Sequence, residues 1–546
     1  MKHYLQLTKF TKWHFLIVSI LVLGICFRFF HLDRKVYWYD EVFTSFRIFG
    51  YTETEVIQQV SANPSISVED LQQYQHDAGR NLVDTIQSLA TEDFHHPPVY
   101  YAIAHFWVKL FGDSIAVIRS LSALISLLVF PAIYWLCREL FPSPSVAWVS
   151  MALVAVSPFH VLMAQEARQY SLWTVTILLS SASLLHAIRL NSRRSWRLYT
   201  ISLIVGLYTF LFTGLVAIAH GLYLFYLRKS LPFSKAIAAY YMAVLTVLLA
   251  FIPWLVIVAG NFTAINSNVN KDNAVALVTL IKTWIFNLSY IFFDAQWQLN
   301  QNSPAGIPLE RGFDLINIIV LLFLFLVLYS LHFLYRTASK PVSLFILISI
   351  AVPAGALILP DLILGGHRSL TMRYLIPSYL AIQVAVAYLL ATKLENSFRS
   401  GQQRTWQLLL LISVSASILS CMASVQAETW WHKGSSANNP QVAKIINQAK
   451  KPLLISDTKV GRLVSLSYLL EPKVKFQLQP QCHTCQIKSA SASGAKFYVP
   501  NNYSEIFLYR PSNEMLDNFK RMREPQLKLM YEPANLWRLE YTNKPQ

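Results

Sequence analysis

Two neighbouring carboxylates, Asp40 and Glu41, lie in Val36-Tyr-Trp-Tyr-Asp-Glu-Val-Phe-Thr44, directly after the first apolar segment of the chain. A carboxylate beside low-dielectric surroundings gains basicity, and Tyr37, Trp38, Tyr39 and Phe43 would supply such surroundings, so the pair is a candidate general base. The plainer alternative is an interfacial aromatic belt carrying two solvated acids. Farther on, His95-His-Pro-Pro98 sets two imidazoles before a rigid diproline. They could hold a divalent metal together with Asp40 or Glu41, or contact a phosphate; otherwise they are a turn with exposed rings. Gln165-Glu-Ala-Arg-Gln-Tyr170 spaces Glu166 and Tyr170 four apart, on one face if the stretch is helical. Glu166 is a candidate second metal ligand or acceptor-orienting group, or a member of a helix-end charge cluster. Gly365-Gly-His-Arg-Ser-Leu-Thr-Met-Arg373 carries Arg368 and Arg373, and guanidinium groups bind phosphate oxygens bidentately. The competing partner for these cations is Asp361. Cys482-His-Thr-Cys485 has too few ligands for a structural zinc site and reads as a local disulfide in an oxidising compartment.

These residues need a scaffold, and the composition says which kind. The chain has 546 residues, 54% of them hydrophobic and 14% charged, with a mean hydropathy of +0.39. That is the balance of an all-α polytopic membrane protein. The net charge of +17 does not argue for nucleic acid, because the basic residues gather at the ends of apolar segments, as cytoplasmic loops require. Eleven spans are expected, near 13–30, 115–137, 145–162, 171–189, 198–212, 213–228, 236–259, 313–335, 341–359, 374–392 and 405–425. The first, preceded by Lys2, Lys9 and Lys12, reads as a retained helix with the N-terminus inside. A shorter apolar stretch, 97–111, carries His105 and Lys109. The four basic clusters (Arg189 to Arg197, Arg228 to Lys235, Arg336 with Lys340, and Lys393 to Arg404) share the cytoplasmic side only if 97–111 does not cross. It is therefore expected to lie at the outer interface.

This topology leaves three outer regions. Residues 31–96 hold eleven Asp/Glu against four Lys/Arg, with 61–80 expected as a mobile loop. Residues 260–312 contain an amphipathic piece, 276–293, expected to rest on the membrane. A tail, 426–546, carries short β-like runs at 452–456, 475–478 and 505–509 and a helical stretch at 513–524, reading as a small extracytoplasmic α/β domain behind a transmembrane module of 1–425.

Taken in order, these pieces resemble the GT-C fold glycosyltransferases, specifically the protein O-mannosyltransferase and aminoarabinose-transferase group (glycosyltransferase family 39 and its bacterial relatives). The resemblance is carried by Trp38-Tyr-Asp-Glu41, His96-Pro-Pro-Val-Tyr-Tyr101, Phe111-Gly-Asp-Ser114 with Arg119, Phe130-Pro-Ala-Ile-Tyr134, Ser157-Pro-Phe159, Gln165-Glu-Ala-Arg-Gln-Tyr-Ser171 and Arg373-Tyr-Leu-Ile-Pro377. It implies an inverting transfer of a sugar from a polyprenyl-phosphate donor to a lipid, glycan or protein acceptor, outside the cytoplasm, in the inner (plasma) membrane. Under it Asp40 activates the acceptor and Glu41 completes the acidic pair. His96, Arg368 and Arg373 contact the donor phosphate, Glu166 and Tyr170 orient acceptor or metal, and His95 is a ligand for a divalent cation, the candidate cofactor. Relatives often carry an aspartate near Tyr170; this chain does not, and Glu166 one turn earlier is the substitute. Rival readings are a transporter or flippase of lipid-linked glycans, which would bring inverted repeats and mid-membrane polar residues, a polysaccharide polymerase or ligase, and a non-catalytic glycolipid binder.

Overall fold

The structure is a computed structural model and describes residues 2–228, 234–261, 275–294, 315–396, 400–482, 503–521 and 526–540. The chain opens with α1 (Lys2–Phe29) and continues through an outer segment of α2 (Tyr39–Ile48), α3 (Glu53–Ala62), α4 (Val68–Gln72) and α5 (Leu82–Glu92). Then come α6 (Val99–Phe111), α7 (Ile115–Leu127), α8 (Val129–Leu140), α9 (Pro144–Ala155), α10 (Pro158–Ala164), α11 (Tyr170–Leu190), α12 (Arg193–Leu207), α13 (Thr213–Leu227) and α14 (Ser234–Gly260). The rest of the bundle is α15 (Leu277–Ser289), α16 (Leu315–Thr337), α17 (Lys340–Leu364), α18 (Ile376–Asn396) and α19 (Ser400–Gln426). Among the described residues, seven segments are long and apolar enough to cross a bilayer, and α9 with α10, bent by 62° at their junction, makes an eighth if the pair is one span. This is a multi-pass membrane protein. The expected spans near 13–30 and 213–228 appear as the shorter apolar helices Phe15–Phe29 and Thr213–Leu227.

The bundle is built around α11 and α18, whose apolar windows are 78% and 83% buried; α14, α16 and α17, at 22–28%, present their apolar sides outward. Lipid solvates those sides as well as a protein core would, so their exposure costs nothing. The α9–α10 break follows from Ser157-Pro158, since proline is favoured at the first position of a new helix. The orphaned carbonyls at the end of α9 are met by Arg28, buried in α1, which donates to Val154 O (3.1 Å) and Ala155 O (2.5 Å). Helix α6 has 13 residues, about 20 Å at 1.5 Å per residue, short of the roughly 30 Å hydrocarbon core. It buries Tyr100, Tyr101, Ala104, His105 and Val108 while exposing Phe106 and Leu110.

Above the bundle lies a six-stranded sheet in the order β1-β3-β2-β4-β6-β5, with β1 (Ile66–Ser67), β2 (Pro452–Ser456), β3 (Lys475–Leu478), β4 (Glu505–Tyr509), β5 (Gln526–Tyr531) and β6 (Leu536–Glu540). Strand β2 runs parallel to β3 and β4; the other pairs are antiparallel. Helices α20 (Asn439–Asn447), α21 (Val460–Ser467) and α22 (Asn513–Lys520) flank it. Two expectations need correction here. The segment 61–80 is not a loose loop: Ile66 pairs with Phe476 as an edge strand, and Leu71 and Tyr74 are buried. The sheet is also not built from the tail alone, because the first outer segment supplies its edge and α2 packs on α21. Gly461 allows that approach; a Cβ there would sit 2.6 Å from the Phe43 ring and 3.1 Å from Tyr39. The expected helix at 513–524 runs to Lys520 and its last residues lie outside the described ones, as do 262–274 and 295–314 of the second outer region.

Candidate active site

Asp40 and Glu41 occupy the first turn of α2 and face opposite fates. Successive residues of an α-helix point about 100° apart, so adjacent carboxylates cannot share one environment. The Asp40 side chain is 20% exposed, and its Oδ2 lies 3.1 Å from Arg373 Nη2. Glu41 is fully buried. Its Oε1 accepts from Arg119 Nε (2.7 Å) and the Ala167 amide (2.9 Å). Its Oε2 accepts from Arg119 Nη2 (2.7 Å), Lys433 Nζ (3.4 Å) and the Trp38 amide (3.4 Å). Burial raises the Glu41 pKa, but the Arg119 guanidinium and then the Lys433 ammonium outweigh it and hold the carboxyl below the usual range. A carboxylate so filled is unavailable to a substrate, which corrects the expectation that Glu41 is catalytic. Through the same guanidinium, Arg119 also holds the carbonyls of Leu32, Lys35 and Val36 (2.6–2.9 Å), shaping the turn that leads into α2.

Glu166 and Tyr170 do not share a helix face. The chain leaves α10 at Ala164 and enters α11 only at Tyr170, so Glu166 lies in the intervening turn. Its Oε1 accepts from His432 Nε2 (2.6 Å) and Lys433 Nζ (2.9 Å). Burial opposes its ionisation, Lys433 and then His432 favour it, and the outcome is a pKa below the ordinary carboxylate range. Both bonds fall on Oε1, and Oε2 is buried without a hydrogen-bond partner among the described residues. Tyr170 is buried against the guanidiniums of Arg168 and Arg373, each 5.7 Å from its ring centre.

His432 and Lys433 went unnoticed in the sequence. They belong to Trp430-Trp431-His432-Lys433-Gly434, just beyond α19, an aromatic-basic run that packs directly on Trp38, with Lys433 Nζ 5.3 Å from its ring centre. Both indole N–H groups of this run donate to Asp294 Oδ2, at 2.7 and 3.0 Å. Gly434 takes φ 54°, ψ −133°, a conformation nearly closed to other residues, and so turns the chain immediately after Lys433.

The two outer arginines separate. Arg373 reaches Asp40 and lies 5.5–5.8 Å from the rings of Trp38, Tyr170 and Tyr374. Arg368 stays on its own loop, donating to Asp361 Oδ1 and Gly365 O at 3.4 Å, and Asp361 Oδ2 also accepts from the Ser369 amide and hydroxyl. Arg368 is thus the local pair the sequence allowed as an alternative, and Arg373 is the cation at the site.

The histidines join a partner that was not expected. His95 Nε2 and His96 Nδ1 lie 3.1 and 2.6 Å from Asp93 Oδ1, rather than beside Asp40, Glu41 or Glu166. The ligand atoms of Asp93, His95 and His96 all fall within 4.8 Å of one another, the spacing of a metal site. The surroundings do not suit a cation: Arg47 Nε is 3.5 Å from Asp93 Oδ2, and Arg168 Nη2 donates to His96 Nε2 at 3.0 Å. With both His96 nitrogens engaged, the set offers fewer free ligands than a stable divalent site uses, and His96 has no nitrogen left for a phosphate. The tail cysteine Cys482 is in a disulfide, while Cys485 lies outside the described residues.

Residues 95–257 match a family model described as dolichyl-phosphate-mannose-protein mannosyltransferase. The match opens on His95 and closes within α14, under a third of the chain. No curated protein matches. Among solved structures, the chain is similar to ArnT from Cupriavidus metallidurans bound to undecaprenyl phosphate, with TM-score 0.52, 13% identity, and coverage of 97% of this chain and 98% of that one. It is also similar to the archaeal oligosaccharyltransferase AglB from Archaeoglobus fulgidus in complex with an inhibitory peptide and a dolichol-phosphate, with TM-score 0.48, 13% identity, and coverage of 85% and 64%. The GT-C fold expected from the sequence is the fold this chain shares with ArnT.

Proposed function

We propose that this protein is an integral membrane glycosyltransferase that moves one sugar, with inversion, from a polyprenyl-phosphate donor to an acceptor hydroxyl on the extracytoplasmic face of the inner membrane. The observation that carries the reading is the pairing of Asp40 with Arg373: a partly exposed carboxylate and a partly exposed guanidinium, 3.1 Å apart, at one end of an apolar bundle. Orientation is supported by chain direction. Tyr170, beside Arg373, begins the 21-residue helix α11, which ends at the Arg189 to Arg197 cluster, about 30 Å away at 1.5 Å per residue. By the positive-inside rule that cluster is cytoplasmic and Asp40 is outside.

The chemistry asks little of the protein. The acceptor hydroxyl gives its proton to Asp40 as its oxygen attacks the anomeric carbon; the bond from that carbon to the phosphate oxygen breaks, and polyprenyl phosphate departs. Arg373 neutralises the charge that grows on the leaving phosphate, an electrostatic contribution worth most where water is excluded. A carboxylate general base contributes roughly 10²–10⁴-fold. Holding the lipid-borne donor against the acceptor at the membrane surface supplies the remainder through proximity. ArnT, with undecaprenyl phosphate bound, supports the donor class. Mass spectrometry of lipid that co-purifies with the protein tests it. A polyprenyl phosphate or its glycosylated form is expected, with less of it on Arg373→Ala. Protein free of such lipid that also fails to bind added undecaprenyl phosphate would end the proposal.

A further inference from the structure

Arg168 is a buried cation, 3% exposed; burial opposes its charged form, and the nearby Tyr101, Tyr170 and Asp40 side chains favour it. Nη1 donates to Asp40 O (3.1 Å) and Thr44 Oγ1 (3.0 Å), and Nη2 donates to His96 Nε2 (3.0 Å). Its Nε is buried without a hydrogen-bond partner among the described residues. A guanidinium is seldom buried on such terms, because desolvating the charge is costly unless the position itself is useful.

Its contacts indicate the use. Asp40 O and Thr44 Oγ1 stand one turn apart on α2, and Thr44 Oγ1 also donates to Asp40 O (3.1 Å), so Nη1 grips the turn that carries Asp40. The Trp38 side chain at the N-cap makes no cap bond to this turn, and its amide is met by Glu41 Oε2 at N3 (3.4 Å). The aim of the guanidinium is set from its other end. Arginine can only donate, so His96 Nε2 must accept, which places the imidazole proton on Nδ1, facing Asp93 Oδ1 at 2.6 Å. Asp93 is anchored by Arg47, which is buried and also bound to Glu92 (3.1 Å).

We infer that Asp93, His96 and Arg168 form a hydrogen-bonded relay that fixes the first turn of α2 and thereby aims Asp40, with Arg168 and His96 as positioning residues of the transfer reaction. The inference rests on the proposed glycosyl transfer for its kinetic consequence, though the relay itself can be tested without it. Displacing a catalytic group by about 1 Å costs on the order of 100-fold in rate. His96→Ala should therefore lower kcat about 100-fold while the KM for the polyprenyl-phosphate sugar stays within about twofold. His96→Gln puts an amide oxygen near the Nε2 position and should recover most of the loss; His96→Asn mimics only the Nδ1 side and should not. Thr44→Val, which removes the other side-chain acceptor of Arg168, should reproduce the selective fall in kcat. A rise in KM at constant kcat, or a Gln variant as impaired as Ala, overturns the relay. Hydrogen exchange of the Phe43–Ser45 amides gives a readout independent of activity. Faster exchange in His96→Ala at unchanged melting temperature supports the inference, and unchanged exchange overturns it. A wild-type protein that transfers no sugar would count against the function alone and leave this second test in force.

Discussion

At the scale of single residues, the Asp-Glu pair divides its labour: one carboxylate stays reachable while the other is locked by the nearby Trp38 amide and by three groups from distant parts of the chain, Arg119, the Ala167 amide and Lys433. The lock has a measurable worth. Removing one member of a buried ion pair costs about 3–5 kcal/mol because the partner charge is left uncompensated, so Glu41→Gln should lower stability by about that much, read as a large fall in melting temperature in detergent. Glu41 and Glu166 both have folded pKa values below those of the unfolded chain, for which the glutamate value is 4.5. Their stabilisation is therefore complete above about pH 4.5 and is lost as the pH falls below it. A melting temperature that drops steeply below pH 4.5 in wild type, and less steeply in Glu41→Gln, is the expected result. The partly exposed position of Asp40 was legible in the sequence because its neighbours on the chain are aromatic and the apolar segment before it sets its depth. The role of Glu41 was not, because its partners Arg119 and Lys433 are 78 and 392 residues away. Local spacing likewise misled at Glu166 and Tyr170, where a turn replaced the assumed helix.

Among elements, the decisive joint is α2 against α21. It ties the helix bearing Asp40 to the sheet formed largely by the tail, reinforced by Ser465 Oγ donating to Tyr37 O (2.7 Å) and the Tyr39 amide donating to Ser436 Oγ (3.2 Å). Gly461 is the point of closest approach. Gly461→Ala forces the Phe43 and Tyr39 rings aside, and overpacking of this kind typically costs about 1–3 kcal/mol. Because the displaced rings flank Asp40 on α2, activity should fall along with stability; equal activity and an unshifted unfolding midpoint would detach the tail from the site. The strands at 452–456, 475–478 and 505–509 could be read from their short apolar runs, whereas β1 could not. Two residues carry no periodicity, and the polar composition of 61–80 hides the pairing of Ile66 with Phe476. The Trp430–Gly434 segment escaped notice for a related reason: its partners, Asp294, Glu41 and Glu166, come from three well-separated parts of the chain.

For the molecule as a whole, most of the apolar segments could be read from the sequence, since the bilayer demands length and hydrophobicity that few other environments do. Of the eleven expected spans, however, the one at 198–212 falls on the 15-residue α12 and is not among those long and apolar enough to cross. Helix boundaries within the apolar segments were harder, as Ser157-Pro158 bends one span by 62°, although the break at Phe212-Thr-Gly214 was legible and separates α12 from α13. The proposed orientation places Ser114, between α6 and α7, outside. A cysteine introduced there should react with a membrane-impermeant maleimide in intact cells; labelling only after permeabilisation would invert the topology. The crowding of Arg47 and Arg168 around Asp93, His95 and His96 predicts that chelator leaves activity intact, and a full loss restored by one divalent cation would reinstate the metal. The central claim is that Asp40 takes the acceptor proton as polyprenyl phosphate leaves, and single-turnover sugar transfer by Asp40→Asn, measured beside donor binding, tests it most directly. The account predicts a rate lower by about 10²–10⁴-fold with donor affinity retained; transfer at the wild-type rate would contradict it.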